Sequence, residues 1–196
     1  MSHPVGVIIS ITICALLTFW GITEFLYLDI TGMGRRKAFR EFPKAANKFG
    51  FTQKKGKTST FTGVYDGYSF TIHPKRNATI HLQMKSVPGL KEFITREGET
   101  NFSSGDQGFD NLFRTRLVSH QLGQKLSSAK PFIAFAVQFG RRWKSKSNYI
   151  QIYNDSIYCS LKYGNGSYIP ASVLRQIVPD MVKLANLLRA AVKMEN

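Results

Sequence analysis

The chain has only two cysteines and carries no lysine or arginine before Arg35. Each shortage excludes something. Cys14, inside an apolar run, and Cys159, inside a strand-like stretch, form no disulfide framework, which suits a reducing compartment and disfavours a small secreted scaffold. The cation-free start, MSHPVG, denies a secretory signal its positive end, and no A-x-A-like cleavage site follows the apolar run. Ile13, where a small residue would be required, argues against a lipid-modified Cys14. Phosphate-binding glycine loops, nucleophile elbows and metal quartets are also missing, so a hydrolase or a metalloenzyme has no motif to rest on. No low-complexity tract or internal repeat occurs.

Carboxylates are scarce too: 12 Asp and Glu face 27 Lys and Arg, for a formal charge of +15 over 196 residues. An excess of this kind says little about fold but favours anionic partners, which are lipid headgroups, nucleic acid or an acidic protein.

What is present first is a long apolar run. From Val5 to Leu28 only Glu24 is charged at neutral pH, and the run exceeds the ~20 residues that span a hydrocarbon core. It predicts a transmembrane anchor over residues 1–30. Arg35, Arg36, Lys37 and Arg40 follow it, so the positive-inside rule predicts a single-pass protein of the inner membrane, N-terminus outside and C-terminal domain in the cytoplasm. Four Asn-x-Ser/Thr sequons, at Asn77, Asn101, Asn154 and Asn165, would matter only in a secretory lumen; chance and turn composition explain them more simply. Trp20 and Tyr27 suit the membrane interface, and Glu24 suits an interfacial carboxylate.

At about 100° per residue, Gly6, Ser10, Cys14, Thr18 and Gly21 share one arc, with Glu24 at its edge. Small residues let backbones approach in lipid, which makes this stripe a candidate seam for a second copy or another membrane protein. Thr12 and Thr23 on other faces support the plainer reading, that small polar residues are simply tolerated.

Residues 31–50 form a basic amphipathic segment. Phe39, Phe42, Ala45, Ala46 and Phe49 fall on one helical face, and Lys37, Arg40, Lys44 and Lys48 on the other. Such a segment lies along an anionic leaflet or packs its Phe face on its own domain. Pro43 predicts a break, and Gly50 a stop.

Residues 51–196 predict one basic α+β domain. Asp66-Gly67 and Asn154-Asp155 mark hairpin turns between alternating strands. His73 and His81 point away from the Ile72, Ile80 and Leu82 face and become cross-strand neighbours if the turn between them is tight; no further ligand supports a metal there. In GDQGFDNLF, Asp106 and Asp110 read as turn formers rather than an acid pair, Phe109 and Phe113 as core, and a strand is predicted from Asn111 to Val118. A helix follows, then a basic loop in which Arg141, Arg142, Trp143, Lys144 and Lys146 form the densest patch. Single-stranded nucleic acid needs aromatics interleaved with cations, of which one Trp supplies little, and no RNP-like, zinc-finger or helix-turn-helix signature accompanies it; a loop facing a membrane or an acidic protein explains the patch equally well. The final segment carries Leu174, Ile177, Val178, Met181, Leu184, Ala185, Leu188 and Val192 at helical spacing, with Pro179 predicting a kink or a division.

Gly105, Asp106, Phe109, Asp110 and Phe113 make a G-D-x-x-F-D-x-x-F element that resembles one in uncharacterised bacterial membrane-anchored proteins. The resemblance spans residues 49–190 loosely and implies a bacterial domain of this layout, with no catalytic residues and no cofactor.

These readings predict an antiparallel sheet with helices packed on it, behind one transmembrane helix. They point to a non-catalytic subunit or assembly factor of a membrane complex, its basic surface against anionic lipid or an acidic partner. A membrane-tethered nucleic-acid binder is the alternative, through Arg141, Arg142 and Trp143.

Overall fold

The computed structural model describes residues 38–54, 59–75, 78–95, 97–162 and 168–193. An amphipathic helix, α1, occupies residues 38–48 and buries Phe42, Ala45 and Ala46 while Arg40, Lys44 and Lys48 stay exposed. Its apolar face packs on its own domain: Phe42 meets Phe61 edge to face, with centroids 5.1 Å apart. The helix runs unbroken through Pro43, against the break that proline predicts. One lost backbone bond there is offset by the burial of Phe42 and the two alanines.

Four strands follow, β1 (Thr52–Lys54), β2 (Thr60–Tyr65), β3 (Tyr68–His73) and β4 (Thr79–Gln83), each antiparallel to the one before. The β2–β3 hairpin closes on Asp66 and Gly67, with φ of 50° and 76°, the doubly positive pair that a tight primed turn requires. β5 (Leu90–Ile94) leads through a long connection to α2 (Gln107–Leu112), β6 (Arg114–Leu117), α3 (His120–Ser128), α4 (Lys130–Lys144), the hairpin β7 (Ser147–Tyr153) and β8 (Ser156–Leu161), and α5 (Ala171–Lys193). The strands make one eight-stranded antiparallel sheet in the order β1-β2-β3-β4-β8-β7-β5-β6.

Period-two burial decides which face is covered. Phe70, Ile72, Ile80, Leu82, Ile150, Ile152, Ile157, Cys159 and Phe93 turn inward and join the inner faces of the helices in a single hydrophobic cluster. α5 spans the cluster with eleven buried residues. At about 1.5–3 kcal/mol for each large apolar side chain, their burial exceeds the ~3 kcal/mol that a proline costs inside a helix, and α5 continues through Pro179 undivided.

The edges of the sheet are short or capped. β1 has three residues, all exposed. Beside β6, Asn101 imitates a strand: its N–H donates to Thr115 O at 3.0 Å, its side-chain Nδ2 donates to Leu117 O at 2.8 Å, and its Oδ1 accepts from Leu117 N at 2.8 Å.

An antiparallel sheet with helices on it is therefore present, but the fold class needs a correction. No helix among the described residues is long and apolar enough to cross a membrane. The longest, α5, is amphipathic and carries Arg175, Asp180, Lys183 and Arg189. The run on which a transmembrane anchor was predicted lies outside the described residues, and so does the seam of Gly6, Ser10, Cys14, Thr18, Gly21 and Glu24.

A candidate interaction surface

The basic patch predicted at residues 141–146 is not a loop. Arg141, Arg142 and Lys144 sit in the last turn of α4, where cations complement the negative end of the helix dipole. Trp143 is fully buried at 0 % exposure, and its Nε1 donates to Asp180 Oδ2 at 3.0 Å. Arg142 Nη1 donates to the same oxygen at 3.0 Å. With Phe132, Ala136 and Phe139, Trp143 completes a stripe at helical spacing, which is the signal that would have placed it in the core. It presents no ring face to a nucleic-acid base. Arg141, Lys144 and Lys146 remain exposed, as do Arg40, Lys44 and Lys48 on α1. Arg35, Arg36 and Lys37 lie outside the described residues.

Of the acid, base and nucleophile candidates in the sequence, Asp106 and Asp110 are hydrogen-bonded within the fold and Cys159 is buried. Asp106 caps α2, accepting the N–H of Phe109 at 2.8 Å. Burial pushes the Asp110 carboxyl upward, but bonds from the Ser103 hydroxyl at 2.6 Å and from the Ser104 N–H and hydroxyl, both at 2.9 Å, together with the Gly105 N–H, hold it below its ordinary value. The strand expected from Asn111 begins instead at Arg114, since the Asp106 cap starts a helical turn that lasts to Leu112. Phe109 and Phe113 are buried as core. Cys159 is wholly buried and burial drives its thiol pKa far up, away from the thiolate form.

The histidines are not opposed. His73 pairs with Thr79 and His81 with Thr71, so they stand diagonally, and His73 Nδ1 lies 3.1 Å from Thr60 Oγ1. Among the described residues no group of three or more His, Cys, Asp or Glu side chains is placed to hold a metal. A cavity of about 220 Å³ lies between Phe102, Leu117 and α3. Its polar lining is already used: Asn101 binds Leu117, and Ser119 Oγ accepts from Leu122 N at 3.4 Å as the α3 cap.

The sheet's outer face is polar and aromatic. One cross-strand row carries Thr62, Thr71, His81, Tyr158, Gln151, Ile94 and Arg114. Tyr149 stacks on Tyr158 at 5.7 Å. Burial, opposed by a bond with Thr79 and joined by the neighbouring Tyr149, raises the Tyr158 phenol; burial also lowers His81, against the attraction of Asp155.

The two ends of the sheet differ in charge. The register carries Lys54 opposite Thr60, His73 opposite Thr79, Thr79 opposite Ser160, and Leu161 opposite Ser147, so these residues mark one common end. Lys54, Lys75, Lys144, Lys146 and Lys162 are exposed there, and Lys162 N bonds to Lys146 O at 2.8 Å. The described residues of the connections that bear these lysines include no carboxylate. A further connection at this end, along the β5–β6 edge, carries Glu97 and Glu99, with Glu99 3.6 Å from Arg116. At the opposite end the hairpins turn on Asp66 and Asp155, with Lys85 and Lys91 nearby in sequence. Sequence reading missed Lys54, Lys75 and Lys162, because only the strand order brings them together.

No protein family and no curated protein matches the sequence. Among solved structures, the chain is similar to the crystal structure of the mycobacterial trehalose monomycolate transport factor A, TtfA, at 13% identity, with 81% of this chain and 96% of that chain covered and a TM-score of 0.46. A likeness at that level carries no functional argument.

Proposed function

We propose that this chain works by binding rather than catalysis, as a subunit or assembly factor of a protein complex at the cytoplasmic face of a bacterial inner membrane, with its basic surface against an anionic partner. The observation that carries the reading is how charge is spent. Glu92, Glu99, Asp106, Asp110, Asp155 and Asp180 are each engaged by neighbouring donors or cations inside the fold. The exposed lysines of the sheet's basic end have no carboxylate among the described residues of their own connections, and an unbalanced positive field recruits anionic surfaces.

The test is recovery of the full chain from membranes in mild detergent after cross-linking, with bound proteins identified by mass spectrometry. A defined protein set that is lost on combined Lys44→Glu, Lys75→Glu and Lys162→Glu supports the reading. Recovery of the chain alone, or with nucleic acid that stays bound at physiological salt, overturns it.

A further inference from the structure

We propose that the sheet end bearing Lys54, Lys75, Lys146 and Lys162 docks on the headgroups of an anionic lipid bilayer, so that the strands stand end-on to the membrane with Asp66 and Asp155 turned away. This rests on the reading that the basic surface meets an anionic partner, and it names that partner.

Where the chain enters is the first argument. The first described turn of α1 lies at this same end: Phe39 packs on Tyr168 at 4.8 Å, and Ile169 N bonds to Pro74 O, in the β3–β4 connection, at 3.1 Å. Arg35, Arg36, Lys37 and the apolar run of residues 5–28 precede that turn in sequence, so the apolar and basic lead-in joins the domain at the end that bears these lysines.

The second argument is the residue type. All four cations are lysines, compact charges on flexible stems that suit mobile headgroups; fixed protein carboxylates are better met by arginine forks, and lysine is depleted from protein interfaces. Arg142, in the last turn of α4, is already tied to Asp180, while Arg114 opens β6 at the far edge of this end.

The third argument is the aromatic at the rim. Phe39 is 53% exposed, and Lys75 Nζ lies 5.3 Å from its ring centroid and 5.1 Å from that of Tyr168. An exposed ring with an ammonium above it presents the apolar body and charged tip found at a headgroup boundary. Each lysine near an anionic leaflet strengthens binding by about fivefold, so four act together only when their common end faces the membrane.

The experiment uses the full chain with Cys14→Ser, in which Cys159 stays buried and unlabelled. A spin label is placed at Ser145→Cys, between Lys144 and Lys146, or at Asn154→Cys on the opposite end; both positions are exposed. The chain is bound to phosphatidylcholine vesicles with or without phosphatidylglycerol, and relaxation by a nickel-chelating lipid headgroup is read. Strong relaxation at position 145, weak at 154, dependent on phosphatidylglycerol and lost in Lys75→Glu/Lys162→Glu but kept in Lys85→Glu/Lys91→Glu, is the expected result. Equal relaxation at both positions, independence from phosphatidylglycerol, or equal loss in both charge reversals overturns end-on docking. If protein partners are still recovered in that case, the lipid assignment fails while the proposed function stands. A relaxation pattern as expected with no protein partner recovered leaves the lipid surface and removes the complex.

Discussion

Trp143 and Asp180 are joined across α4 and α5 by a single bond, the indole N–H donating to Oδ2 at 3.0 Å, on an oxygen that also accepts from Arg142. The indole is fully buried and the Arg142 side chain is 46% exposed, so the two bonds are worth different amounts. Asp180→Ala leaves a buried N–H without an acceptor and is expected to cost about 1–3 kcal/mol. Asp180→Asn keeps an acceptor and loses mainly an exposed ion pair, worth about 1 kcal/mol or less. Urea unfolding midpoints at unchanged slope check the order, and equal losses in the two variants would mean that the indole bond contributes nothing.

Gly63 lies under the α1–β1 connection. A Cβ there would stand 2.6 Å from the carbonyl oxygen of Gly50, 2.9 Å from Phe51 Cδ1 and 3.0 Å from Phe51 Cα. Two of these neighbours are backbone, which cannot swing aside as a side-chain tip can. Gly63→Ala is therefore expected to destabilise the domain by about 1–3 kcal/mol, the usual scale of overpacking. Gly67→Ala offers a control in which no atom lies within 4 Å and only the positive φ of 76° is strained. Thermal denaturation of both variants tests whether space or backbone angle matters more.

His81 sits in the outer row between Thr71 and Tyr158, and its pKa falls below the ordinary 6.5 because burial outweighs the pull of Asp155. A lowered folded pKa means that the unfolded chain binds the proton more readily. The contribution of His81 is then fully present above 6.5 and is lost as pH falls through 6.5 toward the folded value. His81→Gln should flatten the stability profile in that window while leaving the alkaline side alone. A mutant whose profile runs parallel to the native one from pH 6.5 downward would contradict the assignment.

Local chemistry was legible in the sequence where it was self-contained. Asp66-Gly67 announces its hairpin because few residue pairs tolerate two positive φ angles, and the α5 stripe announces its helix because eleven of its residues are buried. The failures share a different cause. α2 escaped because its six residues depend on a single Asp106 cap, while the alternation that follows looks like strand from Asn111 on. Trp143 was read by its charged neighbours rather than by its period with Phe132, Ala136 and Phe139. The break at Pro43 and a division at Pro179 do not occur, because the local penalty of a proline is smaller than the tertiary burial of the helix around it. Least visible was the basic end of the sheet: β4 pairs with β8, far away in the chain, and no local signal places Lys75 and Lys162 at one pole.

The Asn101 clasp on β6 and the three-residue β1 have a joint consequence for how the molecule keeps company. A sheet with open margins recruits strands, from copies of itself or from extended peptides, through its bare N–H and C=O groups. Here one margin is occupied by an amide side chain posing as backbone, and the other is too short to template a neighbour. Self-propagation into fibrils is discouraged at both flanks, and any associate has to meet this domain through side chains, on a face or at a pole, and not by lengthening its sheet.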